Sequence, residues 1–332
     1  MSTHFAILGD GAWGTAIALL LAQNSAHRVT LWSARPANAQ LLRETRENRH
    51  YLPGVPIPAA VELTGDVAAA ARADVWIVAI PTVYLRATLQ PVAAQLAAPR
   101  PVVSLAKGVE NRTFLRPTEI VRQLLGERPV AVLSGPSHAE EVSRGLPTSV
   151  AAAASDDALA AVVQQSFSTE RFRVYTNRDL LGVELGGALK NVIGIAAGIS
   201  DGLGFGDNTK ASLLTRGMAE MARFGAALGA DPQTFFGLAG IGDLITTCIS
   251  KHGRNRHVGM LLGQGRKLPD ILANMKMVAE GVYTTQSVHE LAAQRGIDMP
   301  ITAEVYRVLY EDKDPLTAVS DLMMRERKQE HG

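Results

Sequence analysis

The chain has 332 residues, 47% hydrophobic and 20% charged, with a formal net charge of +1. That length suggests two domains, and the apolar content excludes a disordered chain. The charge balance argues against a nucleic-acid binder or a protein held on an anionic membrane. A single cysteine, Cys248, excludes an internal disulfide framework and a cysteine-rich zinc site.

Residues 4–9 read as a short buried strand that runs into Gly9-Asp10-Gly11-Ala12-Trp13-Gly14 and an apolar helix over 15–23. Further strands are predicted at 29–32, 74–80, 102–106 and 130–134, with two fainter candidates at 147–154 and 172–175. The runs are continuously apolar, as in strands buried on both faces, and helical segments lie between them. The expected fold is therefore α/β: an N-terminal Rossmann-like, doubly wound parallel sheet over 1–178 that binds a dinucleotide. After about Asn177 the pattern becomes helical, with segments at 179–199, 209–228, 232–250, 282–294, 301–310 and 316–327. An all-helical substrate and catalytic domain over 179–332 follows. Residues 1–10 carry no basic region followed by an apolar core. The longer apolar segments are interrupted by charge, glycine or proline, so a soluble cytoplasmic protein without membrane insertion is expected.

The G-x-G-x-x-G run follows a strand and opens a helix, the setting in which it signals a dinucleotide site. Gly9 allows the tight turn, Gly11 admits the pyrophosphate and Gly14 lets the helix pack on the strand. The second strand ends in Trp32-Ser33-Ala34-Arg35, without the acid that selects an unphosphorylated ribose. Arg35 would attract a 2′-phosphate, which favours NADPH over NADH, although a solvated loop arginine reads the same way.

Lys190 sits in the middle of an apolar, glycine-rich helix. A buried ammonium must be partnered or carry a lowered pKa, and either suits proton transfer to a substrate oxygen. The alternative is a lysine that snorkels from the helix end. Lys107 and the Gly135 to Ala139 loop, with Ser137 and His138, follow the fourth and fifth strands at the ligand-binding edge of such a sheet. Asp243 could partner a buried lysine or simply cap a helix. The basic run Lys251 to His257, with Arg254 and Arg256, is either a solvated loop or a phosphate clamp. The histidines show no metal-ligand spacing, and no metal is expected.

Taken together the motifs resemble the bacterial NAD(P)-dependent glycerol-3-phosphate dehydrogenases. The resemblance rests on Gly9-x-Gly11-Ala-Trp13-Gly14, Tyr51-Leu-Pro, Lys107-Gly108-x-Glu110 and Gly135-Pro-Ser137. It continues in Glu184-Leu-Gly-Gly-Ala-Leu-Lys190-Asn191, in Asp201 to Lys210 and in Gly237 to Leu244. It ends in Arg254-Asn255-Arg256 and Glu280-Gly-Val-Tyr-Thr. It implies reduction of dihydroxyacetone phosphate to sn-glycerol 3-phosphate for phospholipid synthesis, with Lys190 as proton donor and acceptor. It also implies substrate contacts from Lys107, Gly135, Ser137, Lys190, Asp243, Gly253, Arg254 and Asn255. With the glycine loop and Arg35 read from the residues themselves, the cofactor residues expected are Gly9, Gly11, Trp13, Gly14, Arg35, Lys107, Ala139, Arg254, Val278 and Glu280. The chain departs from the family pattern at Gly253, usually Ser, at His138, usually Phe, and at Ala34, usually basic. Two other readings share these features: a 6-phosphogluconate or β-hydroxyacid dehydrogenase relative, and a non-catalytic nucleotide sensor. A small phosphorylated substrate and a homodimer complete the expectation.

Overall fold

The computed structural model describes residues 3–154, 156–327 and 329–330. Eight strands form one sheet: β1 (Thr3–Leu8), β2 (His27–Trp32), β3 (Val61–Thr64), β4 (Val75–Val78), β5 (Val102–Ser104), β6 (Val130–Ser134), β7 (Thr148–Ala154) and β8 (Phe172–Asn177). Their order is β3-β2-β1-β4-β5-β6-β7-β8. The chain thus winds outward one way from β1 and then the other way, leaving the crevice at the β1–β4 reversal that binds dinucleotides in such sheets.

Two points differ from the expected parallel sheet. β7 runs antiparallel to β6, pairing Ser134 with Ala151, although β8 is again parallel to β7. Period and burial carry no sign of strand direction, so an apolar run fits either pairing. β3 was not anticipated, because its four residues VELT include a charged one. Apolar layers cover both faces of the sheet, one built around Phe5, Ile7 and Ile17 and the other around Trp76, Leu85 and Ile120.

The second half is helical from Leu180–Gly202 onward. This 23-residue helix is long and apolar enough to cross a membrane by length and composition, and 89% of its most apolar stretch is buried inside the fold. The expectation that no segment reaches that length is thereby corrected: other helices of the same chain surround it. A glycine row makes this possible. A Cβ at Gly198 would lie 2.0 Å from the Arg256 carbonyl oxygen, and one at Gly202 would lie 2.2 Å from that of Met260. Helix Arg254–Gly263 therefore rests backbone to backbone on the central helix. Lys190 falls in the same four-residue register as Gly186 and Gly194, so the one long side chain of that row enters the packed interface.

The helix expected over 232–250 is broken. A 3₁₀ turn spans Pro232–Phe236, a π turn spans Leu238–Gly242, and an α-helix follows at Asp243–Ile249. Gly237, Gly240 and Gly242 weaken a continuous helix, and Gly240 lies so close to the Phe235 carbonyl that no side chain fits. The π turn re-aims the next helix, so that Asp243 opens it facing Leu180–Gly202. The last helix, Pro315–Met323, also ends earlier than expected.

Candidate active site

The glycine loop has the geometry expected of it. Gly9 has φ +117° and would bring a Cβ within 2.9 Å of the Ala79 backbone. A Cβ on Gly14 would lie 2.1 Å from the Gly9 carbonyl oxygen. Around Gly11, by contrast, a Cβ would meet nothing within 4 Å, and Gly11 supplies no side chain to cap the helix Ala12–Leu21. The helix N-terminus thus faces open space, an arrangement suited to a pyrophosphate. Trp13 has a buried indole nitrogen without a hydrogen-bond partner among the described residues. Ala139 packs with Ala16, Leu52 and Val55 against this loop's helix.

Arg35 stands at the end of β2, where its guanidinium donates to the Tyr51 hydroxyl at 3.3 Å. At the other end of the crevice Glu280 accepts a hydrogen bond from the Thr82 amide at 2.8 Å, joining the helical half to the loop after β4. Burial pushes the Glu280 carboxyl up, opposed by that amide and by Arg254. Glu280 and Thr82 line a cavity of about 400 Å³ with Val109, Tyr283 and Gln286. A larger cavity of about 900 Å³ lies among helices Asp207–Ala227, Pro300–Tyr310 and Pro315–Met323 and holds none of the expected site residues. Arg254 donates to the Val278 carbonyl at 3.0 Å, so these two expected cofactor residues are neighbours.

The centre of the site is an ion cluster. Lys190, 8% exposed, and Asp243, 2% exposed, form a 3.0 Å ion pair. The other Asp243 oxygen accepts from Lys107 at 2.7 Å. Lys190 also donates to Thr247 Oγ1 at 2.6 Å, and Lys107 to the Gly135 carbonyl at 3.0 Å. An ammonium has three protons, so each lysine has two partners and one proton still unengaged. Burial lowers the Lys190 pKa to about 8, against the raising influence of Asp243. Burial would raise the Asp243 carboxyl, but Lys107 and Lys190 together hold it below the usual carboxylate range. The lysine does not snorkel, and Asp243 both opens its helix and serves as the shared counter-charge.

Asparagines fix the frame of this cluster. Asn191 donates to the Lys107 carbonyl at 3.0 Å, Asn255 donates to the Asn191 side chain at 2.8 Å, and Asn255 accepts from the Gly281 amide at 3.0 Å. One chain of hydrogen bonds thus ties the loop after β5 to three helices. Ser137 donates to the Gly135 carbonyl at 2.8 Å, which holds the loop that carries Lys107's acceptor. Gly253 is the cap residue of helix Arg254–Gly263. A Cβ there would sit 2.9 Å from the Thr247 carbonyl oxygen, so the usual serine would need the backbone to shift.

Arg256 does not join the cluster. Its Nε donates to Asp201 at 2.6 Å, and Lys210 pairs with the same carboxylate at 2.5 Å. It locks the helix packing instead of facing the site. Sequence reasoning also passed over Thr247 and Asn191 as working residues. Thr247 lies four residues after Asp243 and therefore on the same helix face, which was the available signal. Cys248, the next residue, is buried, and burial pushes its thiol up to about 12.

Comparison with known proteins covers nearly the whole chain. Residues 4–160 match the family described as NAD-dependent glycerol-3-phosphate dehydrogenase N-terminus, and residues 179–320 match its C-terminus. The glycerol-3-phosphate dehydrogenase [NAD(P)+] of Geobacillus thermodenitrificans is 51% identical over 331 residues, spanning 98% of this chain and 96% of its own. That of Prosthecochloris aestuarii is 51% identical over 328 residues, spanning 98% of both. The crystal structure of glycerol-3-phosphate dehydrogenase from Coxiella burnetii aligns with a TM-score of 0.93 at 38% identity, covering 97% of this chain and 99% of that one. The chain belongs to the NAD-dependent glycerol-3-phosphate dehydrogenase family.

Proposed function

We propose that the chain reversibly reduces dihydroxyacetone phosphate to sn-glycerol 3-phosphate, with Lys190 as proton donor and acceptor. The observation that carries this reading is the cluster of two ammonium groups on one buried carboxylate. Asp243 can neutralise only one of them. The site keeps a net positive charge in a dry environment, where a phosphorylated ketone is attracted and held. The unengaged proton of Lys190 faces negative charge that develops on the carbonyl oxygen, stabilises it and is then transferred. Thr247 and Asp243 hold the nitrogen in place through that change. Burial makes the neutral amine accessible, so the same group can take the proton back in the reverse direction.

Gly9, Gly11, Trp13, Gly14, Ala139, Val278 and Glu280 would hold NADPH or NADH, which when bound supplies the hydride. Lys107 and Arg254 would lie where cofactor and substrate meet, while Gly135, Ser137, Gly253 and Asn255 would border the substrate. The open helix N-terminus at Gly11 and the free indole nitrogen of Trp13 fit such a ligand. The reading divides the chain into a dinucleotide-binding domain, 1–178, and a helical catalytic domain, 179–332. It also takes the enzyme as a cytoplasmic homodimer serving glycerophospholipid synthesis, as the family resemblance implies.

Lys190→Ala tests it. The rate of NADPH oxidation with saturating dihydroxyacetone phosphate is expected to fall about 10³-fold, with NADPH affinity by fluorescence titration unchanged. Turnover retained at the wild-type level would remove Lys190 from the chemistry.

A further inference from the structure

Beside the ion cluster lies a polar atom that the reaction as described does not use. His138 Nε2 is buried and has no hydrogen-bond partner among the described residues. His138 precedes the helix Ala139–Val142 and lies three residues after Gly135, whose carbonyl holds Lys107. Its ring faces that of His252 at 5.8 Å, from the opposite half of the molecule, so the two loops meet here. Buried polar atoms in folded proteins almost always have a partner, and an orphan at the rim of a binding site points to a ligand that supplies one. The neighbouring Gly253 presents no hydroxyl.

We propose that His138 is a further substrate-binding residue, whose Nε2 donates a hydrogen bond to an oxygen of the bound phosphorylated ketone. This rests on the function proposed above. The charged groups that act on the imidazole are Lys190, Glu140, Lys107 and Asp243. Burial, and then Lys190, lower its pKa, so the ring is neutral near pH 7 and has a single N–H to give. That N–H approaches an anion without adding a third cation to a cluster that already holds two.

The experiment compares wild type, His138→Phe and His138→Gln in steady-state reduction of dihydroxyacetone phosphate by NADPH. The glutamine amide nitrogen takes nearly the place of Nε2, whereas phenylalanine keeps the ring and loses the donor. His138→Phe is expected to raise KM for dihydroxyacetone phosphate about five- to tenfold, the worth of one neutral hydrogen bond, with KM for NADPH and kcat nearly unchanged. His138→Gln should recover most of that loss. The affinity for sn-glycerol 3-phosphate, measured by calorimetry on the NADP-bound enzyme, should fall in parallel. A His138→Phe enzyme with wild-type KM overturns the proposal. So does an equal loss in both variants, or a rise in KM for NADPH with KM for the ketone unchanged. Failure of the underlying function is distinguishable, because wild type itself would then show no ketone-dependent NADPH oxidation.

Discussion

The central helix Leu180–Gly202 carries two buried charges six residues apart, and their surroundings are opposite in kind. Glu184 faces the sheet half. Its carboxylate accepts from Arg116 at 2.5 Å, from the Thr118 amide at 3.0 Å and from the Thr118 hydroxyl at 2.8 Å. Arg116 is forked to Glu119 as well, at 2.7 Å. Both oxygens of Glu184 accept from donors on the sheet half of the molecule. Lys190, about 120° further round the helix, shares one carboxylate with a second lysine and keeps a proton unengaged. A buried charge met only by donors from the facing half holds two halves of a protein together. A buried charge left short of partners is poised for a ligand.

Neutralising each carboxylate in turn gives the largest expected effects and tests that contrast. Glu184→Gln leaves Arg116 with Glu119 alone as counter-charge and should cost about 1–3 kcal/mol of stability, measured by urea unfolding. The kcat of its folded fraction should stay near wild type. Asp243→Asn leaves two lysines together without an anion, so it should also destabilise. In addition its kcat/KM for dihydroxyacetone phosphate should fall about 10²-fold or more, because Lys107 and Lys190 lose their common anchor. If Glu184→Gln lost catalysis as deeply as Asp243→Asn, the division between a structural and a chemical cluster would collapse.

The two clusters were unequally legible in the sequence. Lys190 stood out because a single cation interrupts an apolar helix, and burial of such a group demands an explanation. Asp243 stood out for the same reason, yet two roles remained open until the π turn at Leu238–Gly242 was seen to aim it at the lysines. Arg256 read, with Arg254, as part of either a phosphate clamp or a solvated loop. Helix geometry turns it toward Asp201 instead, a partner 55 residues away that no local pattern reveals. The glycine loop and most strands were readable because backbone approach and two-sided burial leave local marks. The antiparallel entry of β7 left none, because an apolar run looks the same in either direction. What the sequence could not carry was the set of distant pairings that the fold brings together, including the Asn191–Asn255–Gly281 chain.

A smaller effect separates the lysine from the glutamate by titration. Burial sets the Lys190 pKa at about 8, with Asp243 working in the opposite, raising direction. Ketone reduction needs the ammonium form. Its kcat should therefore be flat below about pH 8 and fall about tenfold per unit above it, while glycerol 3-phosphate oxidation should rise to the same break and then level off. Removing Asp243 removes support for the ammonium, so in Asp243→Asn the break should move to lower pH. In Glu184→Gln it should stay in place. A break that moved equally in both variants would mean that the helix responds as a whole instead of at one nitrogen.

The smallest expected effect lies outside both clusters, at the far end of the crevice. Arg35 is exposed at the end of β2, and its guanidinium donates to the Tyr51 hydroxyl. A carboxylate at this turn would repel a 2′-phosphate, and none is there; the nearest cation on the strand end is Arg35. Water screens an exposed pair, so the guanidinium is worth far less here than a buried charge would be. Arg35→Ala should raise KM for NADPH about threefold to fivefold and leave KM for NADH unchanged. The comparison of cofactors in one enzyme cancels any general damage to the site, because both share the glycine loop. An equal rise for both would assign Arg35 to shaping the loop against Tyr51 and not to reading the phosphate. Screening supplies a second check. The NADPH preference should shrink as salt is added, whereas the buried Lys107–Asp243–Lys190 cluster should be nearly indifferent to it.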